Sequence, residues 1–268
     1  MKVGTDGVLL GAWAYVKSTS QQVNRSTGQQ VNGSTNGAAS GELSLLQLSR
    51  VATEVERSST SILDVGTGTG LIALMAAQRN PSAHITAIDI DPDAVRQAQE
   101  NVGASPFANR IIVRQSDFRK GVVGYFDAIL CNPPYFENAL RCPDFSRSTA
   151  RHSDTLSFDD LALNVSSQLL PLGTLSVIIP AERRMDMIAA CATHNLTLVR
   201  ETYVRTLPTK HPKRVLLEFR LEELSSLIRP GGLEEIDNPS PATLTIEATP
   251  GVPTPEFKAL LKEFYLKF

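Results

Sequence analysis

The sequence predicts an α/β fold, a mostly parallel sheet with helices packed on both faces. Two observations carry this. From Ser61 onward, short apolar runs alternate with longer stretches of helical periodicity, the pattern of parallel strands joined by crossover helices. At the first strand-to-helix junction stands Gly66-Thr67-Gly68-Thr69-Gly70, where glycine lets the backbone turn sharply and leaves it open to close approach. With 268 residues, 42% of them hydrophobic, the chain has ample apolar surface for one large core.

In chain order, residues 1–16 form an N-terminal segment, 17–41 a low-complexity insertion, 42–221 the main domain, and 222–268 a connection with a C-terminal packing helix. The insertion is rich in Ser, Thr, Gln, Asn and Gly, with a near-repeat beginning at Gln21 and again at Gln29. Such a composition cannot bury enough apolar surface to offset its ordering entropy, so it is expected to be flexible and without catalytic role. Leu43, Leu46, Val51 and Val55 fit one helix face. Strands are predicted at Ser61–Val65, His84–Asp89, Arg110–Gln115 and Phe126–Cys131. Between the first two runs a helix, Leu71–Gln78, and another starts at Asp91-Pro92, with the acid at the N-cap and proline in the first turn. Ser157-Phe158-Asp159-Asp160 predicts a capped helix reaching about Leu170, stopped by Pro171-Leu172-Gly173. A strand at Thr174–Ile179, a helix at Ala181–His194 and strands at Leu196–Val204 and Arg214–Leu221 follow, the last two joined by a basic loop. Residues 222–242 read as an irregular connection. Phe257–Phe268 reads as an amphipathic helix packing Phe257, Leu260, Leu261, Phe264 and Tyr265.

A formal charge of −2 excludes a polybasic nucleic-acid binder, so any RNA contact must come from a local patch. No apolar stretch approaches the roughly 18 residues of a membrane span, and the N-terminus lacks a basic-then-apolar leader, so a cytoplasmic protein without membrane contact is expected. Cys131, Cys142 and Cys191 are odd in number and lack Cys-x-x-Cys spacing, which points to reduced thiols and away from zinc or another metal. Cys131, inside a buried strand, reads as a small core residue rather than a nucleophile.

The glycine turn is preceded by Asp64 and followed by Leu71. A dinucleotide fingerprint would need glycine where Leu71 stands. The third glycine, Gly70, comes one residue early. Gly-x-Gly-x-Gly with an acid two residues before Gly66 is instead the pattern of class I S-adenosylmethionine-dependent methyltransferases, although the motif alone leaves the dinucleotide reading open. Either way Gly66, Gly68 and Gly70 admit the ligand, and Asp89, at the end of the next strand, accepts from ribose hydroxyls. Asp64 organises the turn near the amino-acid end of the cofactor. Asp117 is placed to accept from the cofactor's adenine amine with Phe118 packing on the ring; a solvated loop acid is the competing reading. Asp91 is assigned to helix capping.

Asn132-Pro133-Pro134-Tyr135, at the end of the apolar run Phe126–Cys131, is the most specific motif. An exocyclic amine on an aromatic ring is a poor nucleophile because its lone pair is delocalised. Two acceptors, the Asn132 side-chain oxygen and the Pro133 carbonyl, would take its two N–H bonds and aim the lone pair at an incoming methyl group, which is positioning and preorganised electrostatics rather than base catalysis. Each proline keeps the residue before it extended, and Pro134 brings no N–H to compete. Tyr135 and Phe136 offer ring faces for stacking a base. Alternatively, Asn-Pro-Pro simply turns the chain and the aromatics are core. Both motifs are expected at the carboxyl ends of neighbouring central strands, where methyl donor and amine meet in one crevice.

On these residues the chain resembles the Asn-Pro-Pro-Tyr methyltransferases, and more closely the bacterial valine-tRNA adenine-37 N6-methyltransferases. The likeness spans nearly all of the chain except the insertion after Tyr15. Lys2-Val3-Gly4-Thr5-Asp6-Gly7-Val8-Leu9-Leu10 resembles that family's entry segment over the cofactor, Ala150-Arg151-His152 its loop after the substrate motif, and Phe264-Tyr265-Leu266-Lys267 its closing helix. Related sequences carry a short segment ahead of the position of Met1, so an internal start is expected here. The resemblance implies a Rossmann-like, seven-stranded, mostly parallel sheet with an antiparallel last strand, S-adenosyl-L-methionine as cofactor, and methylation of the adenine amine beside a tRNA anticodon. It makes Asn132, Pro133, Pro134 and Tyr135 the catalytic set.

For RNA, the loop Arg205–Arg214 carries Arg205, Lys210, His211, Lys213 and Arg214 without an acid, and Arg141, Arg147, Arg151 and His152 follow the catalytic motif. These could neutralise phosphates of an anticodon loop, whose unpaired bases splay without melting a duplex; a solvated basic face is the competing reading. His152 reads as a structural or phosphate-contacting residue rather than a base. Other acceptors with a planar amine, a release-factor glutamine or an rRNA guanine, stay open, as does a non-catalytic RNA-binding protein of this fold. A monomer is the expected state.

Overall fold

The computed structural model describes residues 4–16, 59–133, 156–221 and 240–265. The insertion, the helix predicted around Leu43–Val55 and most of the 222–242 connection lie outside these residues. The described elements are α1 (Thr5–Trp13), β1 (Ser61–Val65), α2 (Leu71–Arg79), β2 (His84–Asp89), α3 (Pro92–Gly103), β3 (Ile111–Gln115), β4 (Phe126–Cys131), α4 (Phe158–Gln168), β5 (Leu169–Pro180), α5 (Arg184–Thr193), β6 (Leu196–Arg205), β7 (Arg214–Leu221), β8 (Ala242–Thr245), a small hairpin β9 (Glu247–Thr249) and β10 (Val252–Pro253), and α6 (Pro255–Leu261). Two single-turn 3-10 helices stand at Phe118–Lys120 and Ala181–Arg183.

The main sheet has eight strands in the order β3-β2-β1-β4-β5-β7-β6-β8. Strands β1 to β5 are mutually parallel, and β7 alone runs against the rest, between β5 and β6. The eighth strand corrects the expectation of seven. Ala242–Thr245 pairs in parallel with the end of β6, but four residues with one buried side chain, Leu244, are too short to show alternation. The sheet therefore does not end at residue 221.

Strand order reverses between β1 and β4, and both are enclosed. All six residues of β4 are buried. Ala128 and Leu130 enter the core on the face covered by α1, α2 and α6, whereas Ile129 and Cys131 enter the core under α4 and α5. A strand buried on both faces reads as a continuous apolar run, as Phe126–Cys131 does.

Local chemistry fixes the helix starts. Asp91 caps α3, its side chain accepting from the Asp93 N–H, and Pro92 opens the helix. Ser157 and Asp160 form a reciprocal capping box at α4, and Thr254 caps α6 with Pro255 in its first turn.

Two boundaries differ from expectation. Helix α4 stops at Gln168 and β5 begins at once, so Pro171-Leu172-Gly173 is not a helix stop but an irregularity within the strand, with Leu172 at φ 63 and a register shift opposite Phe126. Proline is tolerated in a strand at such a bulge. The C-terminal helix ends at Leu261; Phe257 and Leu261 are buried, but Tyr265 is 46% exposed. The segment expected to cover the cofactor is a helix, α1, whose Leu9 and Leu10 are fully enclosed. Its buried residues belong to the core on the face shared with α2 and α6.

Candidate functional site

Strands β1 and β4 are parallel neighbours in a register that pairs Val65 with Cys131. The glycine turn, starting at Gly66, and the corner at Asn132 therefore leave the sheet side by side, on adjacent strands about 5 Å apart. This is the carboxyl edge at the strand-order reversal, where open α/β sheets bind ligands.

The glycine turn is held from beneath. The Gly66 and Thr67 N–H groups both donate to the Ile88 carbonyl, each at 2.9 Å, and the Gly70 N–H donates to the Thr67 carbonyl. Gly66, Gly68 and Gly70 have φ of 70, 56 and 82°, the left-handed region that disfavours any side chain. Asp64 is completely buried and its Oδ2 accepts from Thr67 Oγ1 at 2.6 Å and from the Ala73 N–H at 3.1 Å. One carboxyl oxygen thus ties the turn to the first turn of α2. Its Oδ1 is buried with no hydrogen-bond partner. Burial pushes the Asp64 carboxyl up to about 7, against the pull of the Thr67 and Ala73 hydrogen bonds and with a smaller push from Asp89.

Asp89 ends β2 at the same edge and is partly exposed. Its Oδ2 accepts from the Gly68 N–H at 2.9 Å and its Oδ1 from the Asp91 N–H at 3.0 Å. The carboxylate expected to meet ribose hydroxyls is also a strut for the turn. Asn101 of α3 adds a second strut, donating to the Thr69 carbonyl at 2.8 Å.

Asn132 is half-buried and Pro133 buried. Pro134, Tyr135, Phe136, Arg151 and His152 lie outside the described residues, as do Arg141 and Arg147. Cys131 is enclosed, and burial, with smaller pushes from Asp64 and Asp89, holds its thiol well above the ordinary range, the condition of an inert core cysteine.

Two expected contacts take another form. Phe118 is 4% exposed and belongs to the core under α4 and α5, so its ring is not an open platform for adenine. Asp117 caps the short helix that Phe118 begins and is paired with Arg119, Oδ1 to Nε at 2.9 Å and Oδ2 to Nη2 at 2.8 Å. The Arg119 hydrogen bonds hold its carboxyl below the usual range.

The basic loop also divides. Arg214 pairs with β5's Pro180 and β6's Val204, which puts the β6–β7 loop on the carboxyl edge. Lys210, His211 and Lys213 are exposed there. Arg205 donates to Thr245 Oγ1 of β8. Arg214, expected to contact phosphate, donates through Nε to Asp6 Oδ2 at 2.8 Å, an arrangement that spacing 208 residues apart could not reveal.

Comparison with known proteins decides the family. Residues 43–147 match the model of the methyltransferase small domain. Over 99% of its length the chain is 40% identical to the tRNA1(Val) (adenine(37)-N6)-methyltransferase of Phocaeicola vulgatus, covering 91% of that protein. It is 39% identical to the protein of the same description from Parabacteroides distasonis, covering 92% of it. The chain belongs to the tRNA1(Val) (adenine(37)-N6)-methyltransferase family. Among solved structures, a predicted O-methyltransferase from Agrobacterium tumefaciens superposes with a TM-score of 0.61 at 17% identity, over 97% of this chain and 96% of that one, a likeness of fold.

The methyltransferase's turn fits its family's methyl donor. A Cβ built at Gly66 meets nothing within 4 Å, so the space before the turn is open. Beside it, Ile90 follows Asp89 and is 51% exposed, an apolar side chain at the edge where Phe118 offers none. The sequence reading assigned Ile90, between Asp89 and Asp91, no role. No cluster of three or more metal-ligating side chains occurs among the described residues, and no described helix is long and apolar enough to cross a membrane.

Proposed function

We propose that this methyltransferase transfers a methyl group from S-adenosyl-L-methionine to the N6 amine of an adenine in tRNA, adenine 37 of a valine tRNA being the leading acceptor. The observation that carries this is the Val65–Cys131 pairing, which sets the glycine turn and Asn132 side by side at one edge. Bound there, the cofactor supplies an electrophilic methyl carbon on a sulfonium.

The chain's own residues do the rest by positioning. Gly66, Gly68 and Gly70 let the ligand approach the backbone, Asp89 accepts from ribose hydroxyls, and Ile90 lies against the adenine ring. Asp117 can take the adenine amine only by sharing its carboxylate with Arg119. The Asn132 side-chain oxygen and the Pro133 carbonyl accept from the target amine and direct its lone pair, with Tyr135 and Phe136 stacking on the base. The nitrogen's surplus proton leaves to water, so no base is required. Lys213, Arg151 and His152 meet phosphates of the anticodon loop; Arg214 does not join them. The reading is of a cytoplasmic protein acting as a monomer, with no metal.

Incubating the protein with labelled methyl donor and separate pools of tRNA, rRNA and release factor, followed by nucleoside or peptide digestion, identifies the acceptor. Label in N6-methyladenosine of tRNA is expected. Label confined to guanosine or to glutamine would move the acceptor, and no transfer to any pool would remove the reading.

A further inference from the structure

Helix α1 lies alongside α2 in a fixed register. A Cβ at Gly7 would sit 3.3 Å from Leu71 Cδ2, and one at Gly11 would sit 2.7 Å from Met75 Sδ; Arg79 donates to the Gly11 and Ala14 carbonyls. The two helices thus run parallel, and glycines permit the close contact. By that register Asp6 stands level with Gly70, at the glycine turn.

The two ends of α1 are secured differently. Its C-terminal end is held by the Arg79 bonds, by Trp13 Nε1 donating to Thr202 Oγ1, and by the Arg200 guanidinium 3.6 Å over the Trp13 ring. Its N-terminal end starts at Gly4, which provides no side-chain cap, and the first backbone bond, Val8 N–H to the Gly4 carbonyl, is long at 3.5 Å. The Asp6–Arg214 pair ties this turn to the sheet, with side chains 25% and 26% exposed. Arg214 begins β7 opposite Pro180, the last residue of β5, one strand beyond the Asn132-bearing β4. The pair therefore joins the first turn of α1 to the carboxyl edge of the sheet at β7, two strands beyond β4.

We propose that Asp6 and Arg214 are positioning residues for the methyl donor: their ion pair fixes the first turn of α1 beside the glycine turn, making it a wall of the cofactor crevice. The proposal rests on the function given above. The rest of α1 is anchored without them, so loss of the pair loosens the wall and spares the fold. Each single change, Asp6→Asn or Arg214→Gln, is expected to weaken binding of S-adenosylhomocysteine and S-adenosylmethionine about two- to five-fold, the scale of one partly exposed charge pair. At saturating donor, kcat should be unchanged. The double exchange Asp6→Arg with Arg214→Asp should recover most of the affinity.

Isothermal titration of the full-length protein with S-adenosylhomocysteine reads this without RNA or turnover, and amide exchange over residues 5–8 should quicken in the single variants. Unaltered cofactor affinity in both singles would overturn the proposal. So would a split in which Arg214→Gln weakens RNA binding while Asp6→Asn strengthens it, because Arg214 would then be serving phosphate. Failure of the unaltered protein to bind either cofactor form would instead strike the proposed function, and this inference with it.

Discussion

At the amino end of β1, Asn80 gathers the chain. Its Nδ2 donates to the Val16 carbonyl at 2.6 Å and to Thr60 Oγ1 at 3.1 Å, and its Oδ1 accepts from the Ser82 N–H and hydroxyl. Arg110 closes the end of α2 by donating to the Ala77, Asn80 and Ala83 carbonyls. At the carboxyl end of the same strand, three glycines hold left-handed conformations and a buried aspartate leaves one oxygen without a partner. At β1 itself, the amino end satisfies its polar groups and the carboxyl end leaves Asp64 Oδ1 without a partner. Strain and unsatisfied groups persist where surrounding structure over-determines them, and they concentrate where ligands bind.

The largest effect should come from the carboxyl edge. Asn132→Ala removes one of the two acceptors for the amine, and kcat should fall about 100- to 1,000-fold, as loss of one preorganised polar contact does in other enzymes. Cofactor binding, measured by titration, should stay intact. Full activity in this variant would leave the Asn-Pro-Pro corner as a mere chain turn.

A smaller effect separates the edges by pH. The Asp64 carboxyl is raised from 3.8 to about 7 by burial, so between those values the folded protein binds more protons than the unfolded chain. The stability that goes with the neutral buried carboxyl is complete below pH 3.8 and is lost as pH rises through about 7. Asp64→Asn should abolish that part of the decline, seen as a flatter dependence of the urea midpoint on pH between about 4 and 7. An identical slope in both proteins would mean that Asp64 is not the group responsible.

The smallest effect belongs to the amino edge. Val16 and Thr60, which flank residues 17–58, meet at one amide remote from the glycine turn. Replacing residues 20–38 with a short Gly-Ser linker should leave the melting temperature and kcat within about two-fold of the parent rate, since loop closure depends only weakly on length. A collapse of either would give the insertion a role that its composition does not suggest.

Much of the site was legible because its chemistry depends on residues close in sequence. Gly66, Gly68 and Gly70 announce a left-handed turn, Asp64 its buried organiser, and the Phe126–Cys131 run a strand enclosed on both faces. What sequence reasoning could not see were partners that lay far away. Phe118 reads as a loop aromatic until α4 packs over it, and Arg214 reads as a phosphate contact until Asp6 arrives. Strand β8 is too brief to announce itself, and Pro171-Leu172-Gly173 has the same letters whether it ends a helix or bulges a strand.

By itself the sequence determined the alternation of strands and helices, the two motifs and the caps at Asp91 and Ser157, because each follows from periodicity or from contacts within a few residues. Only the tertiary structure decided that Val65 lies beside Cys131, that α1 is core, and that Asp6 holds Arg214. Those depend on which strands become neighbours, and that choice is made by the packing of the whole chain.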